Sequence, residues 1–527
     1  MRQNNEINSM YERKSPSQII HRIYVGIKSE WKRAFFAVLG FGFAAHAMKL
    51  LNFLPNWDTF MYYYYPGNNM IHQGRHTQML ACAPSSFCDA PWITGILCLL
   101  YIWITVVAII EVLEIKKNYV IWIAGLVVTF PTITSGFAYM YMADAFCVAL
   151  MCSSLAVWIT LKKKHGFWLG ALILAFGMGS YQGFLSFAIG LCVVWIMKQV
   201  LKEDISWKDV GKQVGKYFLM GVLSLIFYYV SLQVFVFVQG VILTGHQGMG
   251  SMRMPTVIQV ITAIKKSYID FIYFYIESVR KPTLYQCANI VVGISLFVYA
   301  VKVLKRNKVY KNPLQLLTFI GCILVYPCIS FIYYFVTDDI IYHALMEMSL
   351  SLIYVFVFVL LEEWNRADTT ETDRSARVIR SWVSIIPFVA IAVLIYNAIL
   401  VSNISYRIMN ESYEKTVSLM TRVVDRMEQE DGFEEVTHIA IIGNVPNSSM
   451  SQAELHPTIV GVTEGYIISH QMHIIAMLDE YYHIPLIGMT EEELYEAMTM
   501  EQQQNMGIWP EEDSVKIIDD TIVIRFE

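Results

Sequence analysis

Charge is too scarce in this chain for a water-soluble globule: Asp, Glu, Lys and Arg supply only 16% of 527 positions, against 56% hydrophobic residues. A soluble domain of that size needs far more polar surface. No Asp-x-Asp pair occurs anywhere, which argues against a metal-bound nucleotide sugar handled in the cytoplasm. P-loop, dinucleotide-fold, haem and Ser-His-Asp signatures are missing as well, and no nucleic-acid partner is expected. His72 and His76 have the i, i+4 spacing of a metal pair, but no third ligand accompanies them, so no metal site is assigned and a need for divalent metal stays open. A cleavable leader is also not legible: some 34 largely polar residues precede the first apolar stretch, which reads as a signal anchor.

What is present is one apolar stretch after another. Segments long enough to span a bilayer run over 35–54, 91–113, 119–137, 141–161, 217–241, 287–304, 314–336, 341–362 and 381–402, with two more in 166–199. About eleven spans follow, the segment around Gly177, Gly179 and Gly183 being short enough for a tilted, broken or re-entrant helix. The expected fold is an all-α polytopic membrane protein with a small α+β domain at its C-terminal end. Residues 1–34 form an N-terminal segment, 35–402 the transmembrane domain with a polar loop at 55–90, and 403–527 the tail domain. In the tail, Tyr406, Met409, Tyr413, Val417, Met420, Val424 and Met427 recur at helical steps up to Asp431-Gly432; 437–442 and 514–526 read as strands, with helices near 463–480 and 491–504.

Lys and Arg alternate sharply between loops. Basic loops contain Lys28 to Arg33, Lys116-Lys117, Lys162 to Lys164, Lys198 to Lys216, Lys302 to Lys311 and Arg366 to Arg380. The loop 55–90 has Arg75 alone, and 337–343 has neither Lys nor Arg; only 242–286 breaks the alternation. The positive-inside rule then places the N-terminus in the cytoplasm, and the 55–90 loop and the tail outside the cytoplasmic membrane.

An acid at the edge of a span is costly unless water reaches it. Asp58, in Asn56-Trp57-Asp58-Thr59, is therefore either a functional carboxylate or a helix cap. Arg75, after Gly74, suits a phosphate or an interfacial headgroup. Trp57 and Tyr62 to Tyr65 are residues that stack on sugar faces and also populate membrane interfaces. Asp144 faces either a cavity or neighbouring helices. Tyr181-Gln182 puts an amide in apolar surroundings, where it serves a sugar hydroxyl or helix packing. Asp338-Asp339 opens a span as an acidic helix start or a cation pair, and His246 and Arg253 lie in a Gly-containing loop suited to gating. Six of the nine cysteines lie in or at the edge of spans as small apolar groups, whereas Cys82 and Cys88 are either a disulfide or two thiols.

Together, Trp57-Asp58, Gly74-Arg75, Phe130-Pro131, Ala143-Asp144 and Ser180-Tyr181-Gln182-Gly183 resemble the bacterial type II glucosyltransferases that modify O-antigen and related surface polysaccharides. The resemblance covers most of 35–402. It implies the GT-C class of membrane glycosyltransferases, a polyprenyl-phosphate sugar as donor, undecaprenyl-phosphate-hexose being the expected form, and no cofactor. The acceptor it implies is a surface polysaccharide or glycolipid. In that scheme Asp58 is the base, with Asp144 as a second acid sharing the task, and Arg75 holds the phosphate. Beside that scheme, the residues themselves offer Trp57, Tyr181, Gln182, His246, Arg253, Asp338 and Asp339 as candidate substrate contacts. A flippase and a donor-synthesising glycosyltransferase are the protein partners the scheme calls for. The competing readings are a flippase for lipid-linked oligosaccharides and a polysaccharide polymerase.

Overall fold

The computed structural model describes residues 25–62, 68–86, 89–243, 255–276, 284–337, 340–365, 374–445 and, with short gaps, 459–526, besides positions 17 and 21. His246, Arg253, Asp338 and Asp339 lie outside the described residues, as do Cys88 and the side chains of Tyr62 to Tyr65. The principal helices are α1 (Ser29–Leu51), α2 (Pro91–Leu113), α3 (Val120–Thr129), α4 (Pro131–Ala138), α5 (Ala143–Lys162), α6 (Gly166–Ser180) and α7 (Leu185–Val200). They continue with α8 (Trp207–Gln239), α9 (Val257–Ile276), α10 (Tyr285–Arg306), α11 (Pro313–Ser330), α12 (Ser351–Asn365), α13 (Arg374–Glu428) and α14 (Gln471–Glu480).

Among the described residues nine helices are long and apolar enough to cross a bilayer, or ten if the bent pair α3–α4 is one span. The chain is a polytopic, largely α-helical membrane protein. The remaining expected span, α6, is apolar but only 15 residues long. Helices α3 and α4 meet at 41° because Pro131 opens α4 and excludes the helical region for Phe130, whose ψ is 141°. Apolar side chains also cover the outside of the bundle: on α8, Phe218, Tyr229, Val230 and Phe237 are exposed, as suits a lipid solvent.

The basic loops gather at one end. Lys198 pairs with Glu114 at 3.2 Å, Lys308 with Glu203 at 3.0 Å, and the Arg306 guanidinium donates to the carbonyls of Trp364 (2.7 Å) and Glu363 (2.5 Å) at the end of α12. Cations there satisfy carbonyls that the helix itself cannot.

The other end departs from expectation in two places. Within 331–336 and 341–347, assigned above to spans, the chain makes short 3-10 turns at Ile332–Phe335 and Ala344–Met346, and α11, which contains Pro327, stops at Ser330. The 242–286 segment contains α9, which packs on α11 and exposes Ile258, Ile261, Ile269 and Ile272 along one face. Its Tyr275 hydroxyl donates to the Leu350 carbonyl at 2.8 Å.

Helix α13 runs unbroken from the bundle into the tail and ends just before Gly432. Beyond it, β1 (His438–Ile442), β2 (Ile487–Gly488), β3 (Val515–Ile518) and β4 (Thr521–Arg525) form a sheet in the order β2-β1-β4-β3. β1 is parallel to both neighbours, and β3–β4 is an antiparallel hairpin. The tail core of Met420, Val423, Ile439, Ile468, Met477 and Ile524 includes Phe60 from the 55–90 loop, so the tail is packed directly behind that loop.

Candidate active site

Asn56-Trp57-Asp58-Thr59 follows α1 as a self-bonded turn. The Asn56 side-chain oxygen accepts from the Asp58 N–H (3.1 Å) and from Thr59 Oγ1 (2.9 Å), and Thr59 Oγ1 accepts from the Asn56 N–H (2.9 Å). Asn56 and Thr59, both buried, thus hold the turn on themselves. The Asp58 side chain instead lines a cavity of about 480 Å³, within the roughly 300–1,000 Å³ range of small-ligand sites. Burial pushes its carboxyl up to about 6, against a hydrogen bond from Trp57 that favours the ionised form.

Arg75 reaches the same cavity from a second turn. Gly74 has φ +76°, a left-handed conformation that glycine adopts without steric cost, and the Arg75 N–H donates to the Met70 carbonyl at 3.1 Å. Two side chains clamp this turn. The Tyr228 hydroxyl donates to the Gly74 carbonyl at 3.0 Å, and Gln182 Nε2 donates to the Gln73 carbonyl and to Tyr228 Oη, both at 3.1 Å. Gln182 is held in turn, its carbonyl accepting from Tyr333 Oη at 2.7 Å. The guanidinium lies 5.0 Å from the centroid of the Tyr181 ring, and its buried Nε has no hydrogen-bond partner among the described residues. No ion pair joins Arg75 to Asp58 among those residues, which leaves one cation and one carboxylate separately available in one cavity.

Tyr181 reaches the cavity because α6 stops at Ser180: Tyr181 is extended (φ −160°, ψ 117°) and a 3-10 turn over Gln182–Phe184 leads into α7. The Thr77 N–H donates to the Gly179 carbonyl at 3.0 Å, tying this break to the Arg75 segment. Five of the sequence candidates therefore converge: Trp57, Asp58, Arg75, Tyr181 and Gln182. Asp144 does not join them. Met142 and Phe146 on either side of it line the cavity, but Asp144 is fully buried behind the wall, beside Cys82 and Ser85. His76 bonds Ser231 Oγ at 2.8 Å and packs on Tyr228 and Phe235. Among the described residues no three His, Cys, Asp or Glu side chains are grouped to hold a metal ion.

Several wall residues escaped sequence reasoning: Gln73, Tyr139, Tyr141, Tyr333 and Val460. The polar aromatics near 139–141 and 333–343 sit at span ends, where belt tyrosines are common, so their signal was ambiguous. Val460 carried none.

The family model described as Glucosyl transferase GtrII matches residues 47–361, more than half of the chain. The chain belongs to the GtrII glucosyltransferase family. No curated protein and no solved structure matches it. Among the described lining residues, those from Trp57 to Met346 fall inside the GtrII match and Val460 alone falls outside it.

The clamp gives a first prediction for this glucosyltransferase. Tyr228→Phe deletes the donor to Gly74 and the acceptor of Gln182 Nε2, and of these two hydrogen bonds the one to Gly74, about 1 kcal/mol, acts directly on the Arg75 turn. Glucosyl transfer should fall about fivefold to tenfold with expression unchanged, measured as kcat in membranes normalised to protein. Unchanged kcat would mean that the clamp does not position Arg75.

Proposed function

We propose that this GtrII protein transfers a glucosyl group from a polyprenyl-phosphate donor to a hydroxyl of a surface polysaccharide or glycolipid, on the outer side of the cytoplasmic membrane, with inversion at the sugar carbon. The observation that carries the reading is one cavity, at the end of the bundle opposite the basic loops, that brings together a raised, half-buried carboxylate and a guanidinium whose Nε has no hydrogen-bond partner among the described residues. Asp58 takes the proton of the acceptor hydroxyl as its oxygen bonds to the anomeric carbon. The bond from that carbon to the phosphate oxygen breaks, and the leaving phosphate carries away the electron pair. Arg75 meets the charge growing on it. Tyr181 backs the guanidinium, and Trp57 offers an indole to the carboxylate and a face to the sugar.

Charge supports this sidedness. The loops tied together at the opposite end are the Lys- and Arg-rich ones, and the positive-inside rule favours the cytoplasm for that end, with the cavity and the tail outside. A carrier-linked donor suits that side, where nucleotide sugars are not supplied.

The test is transfer by the purified protein in liposomes, offered either polyprenyl-phosphate glucose or a nucleotide-glucose with surface-glycan fragments as acceptor. Product from the lipid-linked donor alone supports the reading, and product from the nucleotide sugar alone contradicts it.

The pH profile gives a second check. A base must be ionised, and the Asp58 carboxyl sits near 6, so kcat/KM should fall about tenfold per unit as pH drops below about 6 and be level just above it. An acid limb near pH 4, the range of an unperturbed Asp, would remove Asp58 from the role.

A further inference from the structure

The tail, which the family match leaves out, contributes to the cavity wall through one turn. Residues 459–462 close on themselves, the Val462 N–H donating to the Ile459 carbonyl at 3.0 Å, and Val460 lines the cavity. This strap is seated on the bundle at two points. Ser135 Oγ of α4 donates to the Val460 carbonyl at 2.7 Å. Gly461 has φ +91° and lies so close that a Cβ there would come within 2.6 Å of the Tyr139 ring and 2.8 Å of the Ala138 Cβ. Farther along, the buried Ile467 N–H donates to Thr416 Oγ1 of α13 at 3.0 Å, and Lys415 covers the Tyr466 ring at 4.5 Å.

The strap touches Tyr139, and the ionised Asp58 is near enough to Tyr139 to act on its hydroxyl electrostatically. Behind Asp58, Phe60 is packed in the tail core, its ring 6.3 Å from Tyr481. One body, the tail, therefore supports the carboxylate from behind and supplies a wall beside it. Arg75 is held by different elements, the Tyr228 and Gln182 clamp on α8 and at the start of α7.

We infer that the Val460–Gly461 strap is a specificity-determining wall of the acceptor subsite. Resting on the reading above, the proton leaves the acceptor hydroxyl at Asp58, so the acceptor sugar lies on the Asp58–Tyr139 side, against Val460. The strap sets how bulky an acceptor residue fits there, and the donor phosphate on the Arg75 side does not meet it. Because the strap belongs to the tail, the tail is the part of the chain that selects the acceptor.

The experiment uses the full-length protein in liposomes, polyprenyl-phosphate glucose, and surface-glycan fragments of one, two and four repeat units. Val460→Ala, Val460→Leu and Val460→Trp form a series of increasing bulk, with Asp58→Asn alongside. Acceptor KM should rise with bulk, by about tenfold or more for Trp, while donor KM stays within about twofold. Val460→Ala should take the bulkier fragments better than wild type, so the inference does not depend on Val460→Trp folding. Equal acceptor KM across Ala, Leu and wild type, or donor KM rising in step with acceptor KM, would overturn the strap assignment while leaving the donor and base assignments standing. Wild type that transfers nothing from the lipid-linked donor would instead overturn the donor reading, and the acceptor subsite with it.

Discussion

Asp58→Asn should abolish glucosyl transfer, with kcat down by about two to four orders of magnitude, the usual contribution of a general base. The substitution keeps the size of the side chain and can keep an interaction with Trp57, but an amide cannot accept the acceptor's proton. Folding should be spared, because the turn is held by Asn56 and Thr59 and by the backbone of Asp58, not by its carboxylate. Asp58→Ala should be as inactive, and both variants should accumulate in the membrane at wild-type levels. Full activity in either would remove Asp58 from the chemistry. Asp144→Asn is the informative companion. It alters a carboxylate fully buried beside Cys82 and Ser85, behind the cavity wall, so on this account any loss should come with reduced accumulation of the protein.

Arg75→Ala should cost about a hundredfold to a thousandfold in kcat, comparable to losing a main donor to a developing oxyanion. The guanidinium lies over Tyr181, its Nε has no partner and no ion pair involves it among the described residues, so its removal strands no carboxylate among them and gives little reason for unfolding. Arg75→Lys keeps the charge but loses the planar fork, and Lys is a poorer match to the Tyr181 face. It should recover about tenfold over Arg75→Ala. The split to measure is donor against acceptor: donor KM should rise in both variants and acceptor KM should not. Equal activity of the Ala and Lys variants would mean that the charge at this position does not act on the phosphate.

Much of the fold was legible because bilayer spans announce themselves by length and apolarity, although the third expected span, read as one stretch over 119–137, bends at Phe130-Pro131. In the tail, 437–442 and 514–526 stood out by β-branched runs, although the second is a hairpin of two strands, β2 was not read, and the mostly parallel order was not readable from spacing alone. Hydropathy failed at 331–336 and 341–347. Phe331, Tyr333, Tyr334 and Tyr342 are apolar enough to extend a span on paper, yet their ring packing and the hydrogen bond from the Tyr333 N–H to Tyr342 Oη hold a chain of 3-10 turns instead. At the site, Asp58, Arg75 and Gln182 were findable because polar groups in apolar surroundings need a reason. The same rule flagged Asp144, whose burial among helices it could not tell from exposure to a cavity. Val460 was invisible, since a valine 402 positions after Asp58 carries no polar signature and only the folded tail brings it to the wall.

The central claim is that this GtrII protein attaches a hexose to a surface glycan using Asp58. Its most direct test is mass and linkage analysis of the surface glycan from a deletion strain, complemented with wild type or with Asp58→Asn. The account predicts one hexose branch restored by wild type and absent from both the deletion and the Asp58→Asn strain. An unchanged branch pattern accompanied by altered export or chain length would contradict it and point to transport or polymerisation.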